Sequence, residues 1–301
     1  MPSFDISRAR FRLADEHLIV LSELATGAPL PGELATARQE LVDCGLVDGG
    51  GRLSPLLLPL INTVLSPGVV VSLEAAGRQG SLHHGMLIGE EHVVAHEAWP
   101  GTNEAEYSLV DPKMLVWKLA DMVNLRQTTT GVAPGASAAS ARPASDASGA
   151  ALSVVETAVG TAEAGLAVLA GPAVLPAAEE RRAILEALAA GGPARPAERE
   201  LDLLAELISG LRSSWRLTSA WRGHGDGRDV TTARGIAVWD CGPLGYWQRE
   251  LPTEPVAEER ITPDAPFRLV RVEPRTLWAQ ITGLLPDAAE LRLPATGAGA
   301  A

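Results

Sequence analysis

The feature that most constrains this chain is an internal similarity between residues 71–123 and residues 215–285. One constant offset aligns the beginnings of the two stretches, and a second offset aligns their ends after a longer connection in the second copy. The aligned pairs are Leu73 with Leu217, Arg78 with Arg222, Val94 with Val238, Asp111-Pro112 with Glu273-Pro274, Leu115 with Leu277 and Leu119 with Ile281. The alignment predicts an internal repeat.

Each copy has the pattern of a small unit of strands and one helix. Val69, Val71 and Leu73 alternate with smaller or polar residues, and residues 86–95 form a second β-rich run, so residues 77–85 are predicted to be a hairpin loop. A carboxylate followed by proline is a helix start signal. Each copy is predicted to run strand, turn, strand, strand, helix. Two copies predict an α/β (α+β) fold with a pseudo-twofold body.

Composition excludes several classes of partner. The chain has 301 residues, a formal net charge of -12 and a pI near 5.0, which argues against a nucleic-acid backbone or an anionic membrane. Cys44 and Cys241 form no CxxC pair, so neither a disulfide framework nor a zinc site is expected. The sequence shows no secretory signal and no run of about 18 uncharged apolar residues, so we expect a cytoplasmic protein without a membrane span.

Composition also suggests boundaries within the chain. Residues 127–150 contain almost only Thr, Ala, Ser, Gly and Pro, which is typical of a flexible linker. The prediction is an N-terminal half (1–126), this linker, a C-terminal half (151–293) and a disordered tail (294–301), together forming one domain. Helices are predicted over residues 13–24, 34–44, 54–65, 179–190 and 196–211. Residues 152–169 are predicted to be a strand followed by a helix, or one helix.

Two clusters of polar residues are candidate chemical sites. His83, His84, His92 and His96 place four of the six histidines within a short stretch, and imidazoles of this kind can bind zinc or nickel. No carboxylate or cysteine completes a known spacing, so solvated histidines are the simpler interpretation. The stretch GHGDGRD, residues 223–229, has the residues of an acid-base cluster, but charged glycine-rich hairpin tips are common. The predicted cofactor is none.

Motifs for other functions are absent or incomplete. The sequence contains no P-loop, no GxGxxG after a strand and no GxSxG, so no enzyme is predicted. Residues 13–53 have the order of a winged helix, but its recognition helix would offer only Arg38 against several carboxylates. A winged-helix regulator and a metal-using enzyme built on the histidines are kept as the alternative functions. Most of the seven tryptophans, including Trp117 and Trp278, are expected to pack in the core.

The order of these parts resembles the EspG family, the cytoplasmic chaperones of type VII (ESX) secretion systems of actinobacteria. The resemblance spans most of the chain and is carried by apolar and glycine-rich motifs rather than by one diagnostic signature. These motifs are RQELVDCGLVDGGGRLSP, LSPGVVVSLEA, GIAVWDCGPLGYW and FRLVRVEPRTLWAQITGLL.

The resemblance implies one α/β body with a central antiparallel sheet and a helical bundle, and no enzymatic activity. It implies a partner that is a secreted helical protein, of PE-PPE or WXG type, with no nucleic acid. Family members bind through the loop between their second and third strands and through the C-terminal helices. Carried over to this chain, the loop is residues 77–85. The residues expected to bind the partner are Arg78, Gln79, Ser81, Leu82, His83 and His84.

Overall fold

The computed structural model describes residues 1–126, 152–171, 175–191, 197–225, 228–252 and 261–291. The predicted linker (127–150) and tail (294–301) lie outside these residues. The described strands are β1 (Ser3–Asp5), β2 (Arg10–Ala14), β3 (Val69–Gly77), β4 (Gly80–Ile88), β5 (Val93–Ala98), β6 (Glu104–Val110), β7 (Val154–Ala158), β8 (Ser213–Gly225), β9 (Arg228–Asp240), β10 (Tyr246–Arg249) and β11 (Pro266–Val272).

The described α-helices are α1 (Asp15–Thr26), α2 (Ala35–Asp43), α3 (Leu58–Leu65), α4 (Leu115–Met122), α5 (Val159–Leu169), α6 (Ala177–Ala190), α7 (Glu198–Ser209) and α8 (Pro274–Leu284). Short 3-10 turns lead into α2, α3 and α4. None of these helices is long and apolar enough to cross a lipid bilayer.

The strands belong to a large antiparallel sheet, which confirms the predicted fold class. Hydrogen-bonded neighbours follow the order β1-β2-β6-β5-β4-β3-β8-β9-β10-β11-β7. The chain runs β2, three helices, four strands and α4, and then repeats that order as β7, three helices, four strands and α8. This is the element order that a duplication produces. The repeat unit was predicted to have three strands and a helix, and four strands precede each of α4 and α8. A common origin of the two copies stays a prediction.

The pairing of β3 with β8 joins the first strands of the two copies. Nine residues of each strand are in register, from Val69 opposite Trp221 to Gly77 opposite Ser213. Leu73 lies directly opposite Leu217, the residue with which the repeat aligns it, and both are fully buried. The aligned pair therefore marks the middle of this strand pair.

The predicted constant offset is wrong beyond this first strand. Val94 lies in β5, whereas Val238, its predicted counterpart, lies in β9, which corresponds by order to β4. The offset fails because β8 and β9 have thirteen residues each, while β3 and β4 have nine. The acid-proline helix starts are confirmed: the Asp111 carboxylate accepts a hydrogen bond from the Lys113 backbone N–H at 2.9 Å, and α8 begins at Pro274.

Contacts divide the described chain into two units, of which the first contains residues 1–124, 213–237 and 278–291. In this unit α1, α2 and α3 share a core with one face of β2, β5 and β6. A buried histidine joins two of these helices: His17 Nδ1 accepts the Ala14 N–H at 3.0 Å, and His17 Nε2 lies 2.8 Å from a carboxylate oxygen of Glu40. Residues 13–53 are thus part of a helix-on-sheet layer rather than a winged helix.

The second unit contains residues 125–212 and 238–277. Here α5, α6 and α7 share a core with β7, the end of β9, β10 and β11. Glycine permits the close approach of the helices, since a Cβ at Gly165 would lie 2.7 Å from side-chain atoms of both Ile208 and Leu188. Residues 154–169 are a strand followed by a helix, the first of the two predicted alternatives.

Two further sequence predictions are corrected by the fold. Leu13, predicted to begin a helix, is the buried fourth residue of strand β2, and α1 begins only at Asp15. Residues 77–85, predicted to be a loop, are mostly strand, because β3 extends to Gly77 and β4 begins at Gly80. Only Arg78 and Gln79 form the turn.

We predict that Gly85→Ala lowers the free energy of unfolding by about 1–3 kcal/mol. A Cβ at Gly85 would lie 2.6 Å from the backbone oxygen of Val71, which cannot move without disturbing the β3–β4 ladder. Gly68→Ala is the matched control, because its Cβ would meet the Ile88 oxygen at an ordinary 3.5 Å. Urea denaturation measures both variants, and equal losses of stability would contradict the prediction.

Candidate protein-binding site

The β3–β4 hairpin, predicted to hold the binding residues, presents two different faces. Side chains alternate along a strand, and residues directly opposite each other on neighbouring strands share a face. Ser81 and His83 point to one face and are exposed, whereas Leu82 and His84 point to the other and are half-buried. Arg78 and Gln79 are exposed at the turn. The six predicted residues therefore do not form one surface.

The exposed face of β4, β3 and β8 is here called the open face. Its residues form four rows across the three strands, each row set by the two pairing registers. From one end to the turn, the rows are Leu87-Val70-Ala220, Gly85-Ser72-Thr218, His83-Glu74-Arg216 and Ser81-Ala76-Ser214.

The open face changes character along its length. The first row is apolar, and its Val70 is 40% exposed. The second row is small and uncharged, and the third row carries charged groups next to the hairpin turn. Among the described residues, Arg216 makes no ion pair, and neither does Arg222 farther along β8. This surface can bind an elongated partner that is apolar at one end and polar or acidic at the other.

The opposite side of the same strands is here called the covered face. Leu73, Met86, Leu217 and Trp215 on this face are all at most 3% exposed. The Nζ of Lys118 in α4 lies 2.5 Å from a carboxylate oxygen of Glu97, which shares this face with His84. Helix α4 therefore lies on the covered face.

The histidine cluster does not form a metal site. His84 lies on the covered face, His83 and His96 lie on the other side of the sheet, and His92 precedes β5 in a turn. Nδ1 of His84 accepts the Ala98 N–H at 3.1 Å, and the ring of His96 packs on Tyr107 with centroids 5.1 Å apart. Within the described ranges, no group of three or more His, Cys, Asp and Glu residues is placed to hold an ion.

The other polar motifs also have structural explanations. The GHGDGRD stretch spans the end of β8 and the start of β9, and its tip, residues 226–227, lies outside the described residues. In the WDCGPLGYW stretch, the Asp240 carboxylate accepts the Gly242 N–H at 2.9 Å, and Trp247 Nε1 donates to the Leu244 oxygen at 3.1 Å. Burial raises the pKa of the Cys241 thiol to about 12, so this thiol is protonated rather than nucleophilic.

Sequence reasoning missed the part of the open face contributed by β3 and β8. The signal was present: Val69, Val71 and Leu73 alternate with Ser72 and Glu74, which therefore point to the opposite face of the strand. The pairing of β3 with β8 was not predicted, and only this pairing places Arg216 and Thr218 beside those residues.

Comparisons with known proteins bear on the fold. No protein-family model matches the chain, and no curated protein matches it. Among solved structures, the chain matches the Mycobacterium tuberculosis type VII secretion system chaperone EspG5, solved in complex with the PE25-PPE41 dimer. The match has a TM-score of 0.51 and 11% identity, and it covers 92% of this chain and 97% of EspG5. The chain has an EspG-like fold. At this identity the similarity establishes architecture, and it agrees with the fold that the sequence motifs implied.

We predict that the protein loses stability as the pH falls below about 6.5, the ordinary histidine value. Burial is the main cause that lowers the pKa of both His84 and His96 in the folded chain. The unfolded chain then binds more protons below that pH, so stability is complete above pH 6.5 and decreases on acidification.

Urea denaturation at pH 7.5 and pH 5.5 measures this loss in the wild type, in His84→Gln, in His96→Gln and in the double variant. The double variant is expected to lose less stability between the two pH values than the wild type does. A double variant with the wild-type pH dependence would contradict the assignment to these two residues.

Proposed function

We propose that the chain is a non-enzymatic chaperone that binds a helical substrate of a type VII secretion system and keeps it soluble before export. The observation that carries this proposal is the fold similarity to EspG5, which extends over nearly the full length of both chains. EspG5 was solved bound to the PE25-PPE41 dimer, so a PE-PPE-like or WXG-type helical protein is the substrate class we propose. We propose that it acts before export, in the cytoplasm of an actinobacterium.

The open face has the chemistry that such a substrate requires. The rows of the open face offer an apolar end near Val70 and a charged row at Glu74 and Arg216, which complement a helical tip that has apolar residues at one end and charged residues at the other. Arg216 makes no ion pair among the described residues, and in a chain of net charge -12 it favours a partner with a carboxylate at this row.

The hairpin residues divide into proposed contacts and supporting residues. Arg78, Gln79, Ser81 and His83 are exposed at the turn or on the open face, so we propose them as contacts. Leu82 lies opposite Ala75, which in turn lies opposite the buried Trp215. We therefore propose that Leu82 and His84 support the hairpin from the covered side.

The proposal is tested by co-expressing the chain with the helical type VII substrates encoded nearest to its gene and purifying the complex. Size-exclusion chromatography with light scattering is expected to show a stable complex of defined mass. The purified PE25-PPE41 dimer is a defined second probe. If none of the type VII substrates encoded in the genome of origin binds the folded chain, the proposed function is wrong.

Because the proposed site lies on the open face, we predict that His83→Glu raises the dissociation constant of that complex by about tenfold or more. The new carboxylate lies directly opposite Glu74 and adds negative charge to the row expected to receive acidic groups. Because His83 is exposed, the substitution is expected to leave the fold intact. Isothermal titration calorimetry measures the affinity.

His92→Glu is the matched control, since it makes the same chemical change in the turn before β5 and away from the β3–β4 hairpin turn. It is expected to bind like the wild type. A complex that forms equally well with both variants would place the substrate on another surface.

A further inference from the structure

A row of exposed side chains on α4 takes no part in the open face. Lys113, Trp117 and Asp121 follow one another at four-residue spacing, with Lys113 in the 3-10 turn that leads into the helix, and all three are exposed. Residues four apart in a helix form a continuous ridge on one side of it. This set of three residues is here called the α4 ridge.

The centre of the α4 ridge is a large apolar side chain in contact with solvent. Trp117 is 56% exposed, contrary to the expectation that it packs in the core. Its ring contacts that of Trp278 in α8, with centroids 4.5 Å apart and planes at 64°. Tryptophan is enriched at protein interfaces, where its burial contributes strongly to affinity. Met114 beside it is 51% exposed.

The charges at the two ends of the ridge have no partners among the described residues. Neither Lys113 nor Asp121 forms an ion pair there, whereas the neighbouring Lys118 is paired with Glu97 at 2.5 Å. The ridge therefore presents an unpaired cation, an aromatic ring and an unpaired anion in a line.

This arrangement is complementary to itself. Trp117 lies midway between Lys113 and Asp121, so two antiparallel copies of α4 that cross at Trp117 bring each lysine opposite the other copy's aspartate. A twofold interface requires that the same surface serve on both sides, and the α4 ridge meets that requirement in the order of its charges. A partner with a uniformly acidic or basic surface would leave one end of the ridge opposed by a like charge.

We propose that two copies of this chain associate through the α4 ridge, with Trp117 at the twofold axis and Lys113 of each copy paired with Asp121 of the other. Because α4 lies on the covered face, this dimer leaves the open face accessible in both copies. The proposal does not depend on the proposed function and is tested without any substrate.

The test is sedimentation equilibrium of the full chain at 50 mM salt over a series of concentrations. The wild type is expected to show a monomer–dimer equilibrium. Lys113→Glu and Asp121→Lys each place like charges opposite one another twice, so each is expected to raise the dimer dissociation constant by at least about tenfold. The double variant, Lys113→Glu with Asp121→Lys, reverses both charges and is expected to restore the dimer.

Glu90→Lys, a charge reversal in the exposed turn after β4, is the control and is expected to leave the dissociation constant unchanged. A wild type that stays monomeric at the highest concentration would overturn the proposal. So would single variants that dimerise like the wild type, or a double variant that fails to dimerise. Trp117→Ser is expected to give a monomer, and if that variant does not fold, the charge reversals decide alone.

Discussion

The structure depends on the antiparallel pairing of β3 with β8. This pairing joins two strands that lie 144 residues apart in the chain, and its nine-residue register places Leu73 opposite Leu217 in a fully buried position. The order of strands outward from it, β4-β5-β6-β2 in one direction and β9-β10-β11-β7 in the other, follows the two copies of the same chain order. The pairing therefore sets which residues of distant segments share a face.

The same three strands contribute to the core on one side and carry the proposed binding surface on the other. Leu73 and Leu217 are buried on the covered face, while Glu74 and Arg216, their neighbours in sequence, are exposed on the open face. Alternation along the strands makes this division possible without additional elements. Substitutions at adjacent positions therefore act on different faces of the sheet. Leu82 lies on the packed side of β4, whereas His83 lies on its exposed side.

Local patterns in the sequence predicted many of the elements, because the apolar periodicity of a helix or strand and its end signals lie within the element itself. Examples are the acid-proline pairs at the starts of the α4 and α8 segments and the apolar alternation at Val69 and Leu73. The hairpin was misjudged because Gly85 was interpreted as part of a turn, whereas the structure needs a glycine there for the close approach of the Val71 oxygen. Trp117 was expected in the core, although a position on a helix does not determine which neighbour covers it. Register between distant strands depends on tertiary pairing, so the row containing Arg216 was beyond prediction.

The separation of β3 from β8 along the chain also has a consequence for synthesis. A ribosome adds roughly 5–20 residues per second, so about 7–29 seconds pass between the emergence of Leu73 and that of Leu217. Throughout that interval β3 can pair with β4, but its other edge has no native neighbour, and unpaired strand edges favour association with other chains. Until β8 arrives, the nascent chain is exposed to intermolecular strand pairing at the position that becomes the middle of its sheet.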